Sequence, residues 1–327
     1  MKARAWLTPI GKALGSEKVE TSALWGEFGP VNPDIPTKVG FSRLFKIARD
    51  EDLVSLASRS VPESSRDFIR RQCDVLLAVS SSFDNVTPGL ASSLHETLEL
   101  SRECSVLSLN DACTGFVKSL NIAVSMVASG LATNVLVVLA DAYSAFYLEE
   151  NIAVSTLFSD GASSFLVSAS RPVDFPAAEP IKFEAVSNSS ATAGHLRSIL
   201  EISKAAGPTA EFSSLKMSGG AVYGFVVAQA STVVSNLAEK AGLKEEEKIR
   251  WYVHQGSALV VEAASKTLGQ DPGNLFRAKE YGNVVSSSIP FSLFEDWRDI
   301  EKGSMVGFLA FGVGMAVEGA IYECISK

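Results

Sequence analysis

Residues 104–120 read CSVLSLNDACTGFVKSL. A short apolar run ends near Leu109, and beyond the cysteine the apolar positions fall at helical spacing, with Val117, Leu120, Val124 and Val127 on one face. Cys113 stands between the two, followed by Thr114 and Gly115. A buried strand passing through a tight turn into a helix is a building unit of layered α/β proteins. The turn sets the cysteine near a helix N-terminus, where free N–H groups and the dipole favour a thiolate, and Gly115 permits close approach of backbone or substrate. A buried, inert cysteine fits the segment equally well.

The same alternation recurs along the chain. DVLLAVS (74–80), NVLVVLA (134–140), SSFLVSA (163–169), RWYVH (250–254) and VGFLAFG (306–312), like 104–109, are continuously apolar rather than alternating, which predicts strands covered on both faces. Val226, Ala230, Val233 and Leu237 mark a second helical face. Residues 1–172 and 173–327 look alike in outline, each with a helix, a buried strand and a late strand pair around a glycine, FSDGASS at 158–164 and FGVGMAV at 311–317. The stretch 170–216 is richer in Pro, Ser and Ala and is expected to hold the join and an irregular insertion.

Composition bounds the function. The 327 residues are 46% hydrophobic and 20% charged, enough apolar material for a large core or two fused ones. A net charge of −8, with no basic run, argues against nucleic acid as a partner. No uninterrupted apolar run reaches the ~18 residues of a membrane span, and the basic start MKARAWLTPIGKALG lacks the apolar core of a signal peptide, so a cytoplasmic protein is expected. Cys73, Cys104, Cys113 and Cys324 lie far apart, with neither C-x-x-C nor zinc-ligand spacing, so neither a disulfide framework nor a metal site is expected.

Of the three histidines, His95 falls on a polar helix face and His195 in the Ser/Ala/Gly-rich stretch. His254 differs, since it ends the apolar run RWYV, and the C-terminal end of a core strand is where α/β folds place functional groups. Asn283 lies in YGNVVSSSIP (281–290), where an Asx turn is the ordinary use of an asparagine. A cysteine, an imidazole and an amide together supply a nucleophile and N–H donors for an oxygen that becomes negative in thioester chemistry.

With these segments in hand, the sequence resembles β-ketoacyl-acyl-carrier-protein synthase III and its relatives over most of its length. DACTGF, YVHQGS and YGNVVSSSIP are similar to the family's nucleophile, histidine and asparagine segments, and ETSALW (20–25), LFSDGAS (157–163), MSGGAVY (217–223) and AFGVG (310–314) support the likeness. The resemblance implies a thiolase fold: a duplicated βαβαβαββ core in a five-layer αβαβα sandwich, forming a homodimer. It implies an acyltransferase without metal or redox cofactor, partnered by acyl-carrier protein. Cys113 would accept an acyl group, His254 and Asn283 would stabilise the enolate formed when a malonyl unit loses CO2, and the backbone N–H groups of Cys113 and Val313 would form the oxyanion hole. Asn at 283, rather than a second histidine, favours this branch over the elongating synthases.

Departures from the family refine the expectation. Gly29, Leu259 and Ile152 align with three arginines that grip coenzyme A in relatives, which argues for a carrier protein as acyl donor. Thr87 takes a position from which a bulky residue can floor the partner's acyl site, so a pocket larger than acetyl requires is expected, with Trp25 and Phe311 also assigned to it. Lys266 aligns with a basic position offered to the carrier, and a solvated helix lysine is its alternative reading. Val313 replaces a preferred glycine; with the other departures it points toward specialised metabolism. Acyl transfer to an alcohol or amine without decarboxylation, and a silent partner subunit, are the competing readings.

Overall fold

The computed structural model describes residues 2–27, 32, 34–83, 85, 87–145, 155–173, 175, 178–192, 200–204, 213–243, 248–312 and 315–327. Its strands are β1 (Arg4–Leu14), β2 (Glu17–Glu20), β3 (Arg43–Lys46), β4 (Val75–Val79), β5 (Ser105–Leu109), β6 (Asn134–Asp141), β7 (Gly161–Ser168), β8 (Ile181–Thr192), β9 (Leu200–Lys204), β10 (Ser213–Met217), β11 (Ile249–Val253), β12 (Met305–Gly312) and β13 (Ala316–Ser326). The helices are α1 (Thr21–Glu27), α2 (Asp34–Val39), α3 (Leu53–Arg59), α4 (Glu63–Gln72), α5 (Leu90–Thr97), α6 (Gly115–Ala128), α7 (Gly219–Ala241), α8 (Ala258–Leu268), α9 (Pro272–Leu275) and α10 (Ser288–Glu295).

Nine strands make one sheet in the order β11-β12-β13-β8-β1-β7-β6-β4-β5. The pairs β4–β5, β4–β6 and β11–β12 are parallel and the rest antiparallel, including the β1–β8 pair at the centre. Reading outward from that pair, β7-β6-β4 on one side answers β13-β12-β11 on the other. Each answering strand bears the same parallel or antiparallel relation to its inner neighbour, which is the duplication expected of the chain.

The packing turns this sheet into five layers. On β4, Leu77 and Val79 join the cluster around Phe116, Leu120 and Val124 of α6, while Leu76 and Ala78 join Leu56 of α3 and Leu94 of α5. On β12, Phe308 and Ala310 belong to the same central cluster as α6 and Ile289 and Leu293 of α10. Leu309 and Phe311 face α7 and α8 instead. Phe116 meets Phe165 of β7 edge-on at 5.5 Å and Phe308 at 5.1 Å, so α6 is clasped between the two half-sheets. Each such ring contributes about 1.5–3 kcal/mol by leaving water. Burial on both faces explains the continuous apolarity of these strands, and the predicted helix faces of α6 and α7 are buried throughout.

Two regions differ from expectation. The run 104–109 is not covered on both faces: β5 is the outermost strand, and Val106 and Leu107 are 42% and 36% exposed. An apolar run reports a wish for burial, not the neighbour that satisfies it. The stretch 170–216 is also more regular than its composition implies, since it contributes β8, the strand that joins the halves, and the β9–β10 pair. At the far end of the sheet, the carbonyls of Ile249 and Val253 on β11 accept from Gln270 Nε2 at 3.0 Å and Gln255 Nε2 at 2.8 Å. Among the described residues α7 alone is long and apolar enough to cross a bilayer, and its apolar stripe packs on β12 and β13.

Candidate active site

Cys113 lies in the turn between β5 and α6 and is 7% exposed. Gly312, at the end of β12, packs directly on it: a Cβ there would fall 2.7 Å from Cys113 Cβ and 3.2 Å from Sγ, so a glycine is required. Position 313, assigned to the oxyanion hole, lies outside the described residues, as do Gly29, Ile152 and His195. Burial pushes the Cys113 thiol well above its ordinary value, with the carboxylates of Asp141 and Asp111 adding to the effect. The helix start does not deliver a resting thiolate, because desolvation of the sulfur outweighs it.

His254 follows β11 and is 2% exposed, its backbone N–H donating to Leu309 O at 2.9 Å. Its ring stands edge-on to Phe311 at 5.4 Å, and Nδ1 lies 2.6 Å from Ser288 Oγ. That hydroxyl oxygen also accepts from Gln255 N–H at 3.4 Å, which ties the ring's partner to the end of β11. Ser288 thus engages Nδ1 and leaves Nε2 for another partner. Burial lowers the ring's pKa to about 3, and His254 is neutral.

Asn283 is pinned by the other half of the chain. Its N–H donates to Leu157 O at 3.0 Å and its carbonyl accepts from Ser159 N–H at 2.9 Å. Its side-chain Oδ1 accepts from Val285 N–H at 2.9 Å, which turns Nδ2 the opposite way. Val285 has φ +49°, a left-handed conformation that a β-branched residue resists. Ser286 Oγ and N–H both donate to Asp141, whose burial raises its pKa to about 6, and Ser287 Oγ donates to Leu139 O at 3.1 Å.

Cys113, His254 and Asn283 share one cavity of about 260 Å³ whose walls are mainly apolar, among them Leu157, Phe158, Val260 and Phe311. Met217, Val222 and Tyr223, from the MSGGAVY segment, line it too. Trp25 is not among the lining residues, but it packs on the apolar cluster that contains Cys113, Leu157 and Phe158. Thr87 is exposed and does not line its own chain's cavity. Leu259 lines it, as an arginine at that position would. Lys266 is exposed and paired with Glu262 at 2.8 Å, and His95 Nε2 lies 2.9 Å from Ser101 O at the surface.

Three features escaped the sequence reading. Lys38 of α2, paired with Asp34 at 3.6 Å, is the sole lysine or arginine among the described lining residues, and no motif pointed to it. Ser288 orients His254, and the only sign of it was a serine run opening a helix. Asp111 and Asp141 face the nucleophile turn from two sides.

A cysteine, a neutral imidazole and an amide converging on one apolar chamber, inside a duplicated α/β sandwich, define an acyltransferase of the thiolase type. Residues 107–187 match the family described as 3-oxoacyl-[acyl-carrier-protein] synthase III, and residues 238–324 match its C-terminal part. The chain is 29% identical over 315 residues to the β-ketoacyl-[acyl-carrier-protein] synthase III of Methylococcus capsulatus, covering 93% of this chain and 91% of that one. Against the enzyme of the same name from Neorickettsia sennetsu it is 26% identical, covering 85% and 86%. The crystal structure of 3-oxoacyl-(acyl carrier protein) synthase III from Pseudomonas aeruginosa PAO1 superposes with a TM-score of 0.82 at 22% identity, covering 98% of each chain. The chain belongs to the 3-oxoacyl-[acyl-carrier-protein] synthase III family.

Proposed function

We propose that this protein loads an acyl group onto Cys113 and condenses it with a malonyl unit on acyl-carrier protein. The thiol attacks a thioester carbonyl, and the donor's thiol leaves with the proton. The backbone N–H groups of Cys113 and Val313 hold the oxyanion of this step. The malonyl carboxylate then departs as CO2, and the enolate oxygen left behind accepts from His254 Nε2–H and Asn283 Nδ2–H. Its carbon attacks the acyl-cysteine carbonyl, a 3-oxoacyl product forms, and the sulfur is released and reprotonated.

The observation that carries this reading is the protonation pattern of the site. Burial keeps His254 neutral and Ser288 engages its Nδ1, while Asn283 spends Oδ1 on Val285, so Nε2 and the Nδ2–H group are what the two side chains have left for a substrate in the cavity. Donors aimed at a developing oxyanion in a dry site are the largest single source of rate in such chemistry. The test is malonyl-carrier turnover with CO2 measured. Acyl transfer without CO2 release would sink the decarboxylative reading in favour of transfer to an alcohol or amine.

The remaining assignments follow from the same frame. A division of the chain at 172/173 is supported by the repeated strand pattern and would fall between β7 and β8. The bare apolar edge of β5 supports a homodimer built there, with Thr87 reaching the partner's acyl site. The apolar chamber supports acyl chains longer than acetyl. Leu259 at the cavity supports an acyl-carrier donor over free coenzyme A, with Lys266 toward the carrier. Intact-mass labelling of Cys113 by matched acyl-coenzyme A and acyl-carrier donors decides this, and equal labelling by both would overturn it. We place the enzyme in the cytoplasm and in fatty-acid-related or specialised, polyketide-like synthesis.

A further inference from the structure

Two residues before the nucleophile, Asp111 is tied into the turn on both sides of it. Its Oδ1 accepts from Ala112 N–H at 2.8 Å and from the Thr114 hydroxyl at 2.7 Å, bracketing Cys113. Its Oδ2 accepts from Lys118 Nζ at 2.6 Å, about one turn into α6. Thr114, at the N-cap of that helix, makes no side-chain cap bond, so the turn is held from outside the helix. Behind Lys118 stands Glu318 of β13, with Oε1 4.0 Å from the same ammonium. The side chains of Asp111, Lys118 and Glu318 are 17%, 35% and 16% exposed, so their fields are only partly screened.

We propose that Asp111 is a positioning residue for Cys113: its hydrogen bonds fix the nucleophile turn, and with Lys118 as counter-ion its charge sets the field the sulfur meets. The other groups that bear on that field are Asp141 from β6, Glu318 from β13, the neutral His254 from the end of β11 and the buried Tyr143 hydroxyl. Asp111 is one of the groups that hold the thiol protonated, so the acid that orders the turn also restrains its reactivity until substrate arrives. Lys118 moderates that restraint.

The proposal rests on Cys113 being the acylated residue, and alkylation separates the two ideas because it needs no substrate. In the full chain, the rate of Cys113 modification by iodoacetamide is followed against pH by peptide mass, beside acyl-enzyme formation. Asp111→Asn keeps the acceptor at Oδ1 and removes the charge. It should shift the profile to lower pH, with modification about three- to tenfold faster on the acid side. Lys118→Met, which leaves two carboxylates uncompensated, should slow it by a similar factor. Asp111→Ala, which also frees the turn, should lower acyl-enzyme formation about tenfold. Unshifted profiles in both Asp111→Asn and Lys118→Met would overturn the proposal. A native chain that is alkylated but never acylated at Cys113 would break the functional reading instead, while the profiles still decide the role of Asp111.

Discussion

The two halves of the molecule answer each other strand for strand around the β1–β8 pair, yet they equip the site differently. The first half delivers Cys113 from a regular strand-turn-helix and surrounds it with carboxylates, Asp111 and Asp141. The second half has, before its own central helix α10, only short helical turns and the pinned loop around Asn283, and it offers neutral donors. Much of what holds that loop comes from the first half: Leu157, Ser159, Asp141 and Leu139 all bond to it. Duplication thus supplies two similar frames, and the chemistry comes from what is no longer similar. A charged half suits restraint of a thiol; an uncharged half suits recognition of an oxyanion.

Dividing labour between the halves predicts separable defects. Cys113→Ala should abolish acylation and condensation together. His254→Ala and Asn283→Ala should leave acylation within a few-fold and lower CO2 release about 10²–10³-fold. If either blocked acylation as completely as Cys113→Ala, the division would be wrong. The clasp between the halves is the next test. Phe116→Ala removes the ring that touches both half-sheets and should cost about 3–5 kcal/mol in urea unfolding. A cost below about 1 kcal/mol would mean that α6 is not the shared core.

The contacts across the halves carry smaller effects. Ser286→Ala deprives buried Asp141 of a hydroxyl and should cost about 1–3 kcal/mol, with CO2 release falling more than acylation. The two halves should also differ in their response to pH. His254 titrates near 6.5 when unfolded and near 3 when folded, so its contribution to stability is full above about pH 6.5 and is lost as pH falls toward 3. Asp141, raised from 3.8 to about 6, works the other way, and its contribution is lost as pH rises from 3.8 through 6. His254→Asn should flatten the acid loss measured by unfolding near pH 5; an unchanged slope would refute a buried neutral ring. Smallest of all, Val285→Gly relieves the left-handed valine but gives up its buried side chain, so the two should nearly offset, leaving a net loss of about 1 kcal/mol.

Much of this was legible in the sequence. Continuous apolar runs gave the doubly covered strands, and the periodicity at Val117–Val127 and Val226–Leu237 gave the buried faces of α6 and α7. Asn283 was ambiguous between an Asx turn and a donor; Oδ1 makes the turn, and Nδ2 is left for the proposed donor role. What stayed hidden depends on partners remote in sequence. Asp141 meets Ser286 across 145 positions, and Lys38 reaches the cavity only because α2 folds over it. Exposure of β5 was equally invisible, since neighbours are not written into a strand's own residues.

The glutamines at the far edge have a bearing on assembly. A sheet with two open ends invites head-to-tail addition of further chains, an interface that never closes. Gln255 and Gln270 occupy two outward carbonyls of β11, those of Val253 and Ile249, which makes that edge a poorer template than β5. Growth from one end about a two-fold axis stops after two copies. The side-chain caps therefore disfavour the second open edge that a filament would need.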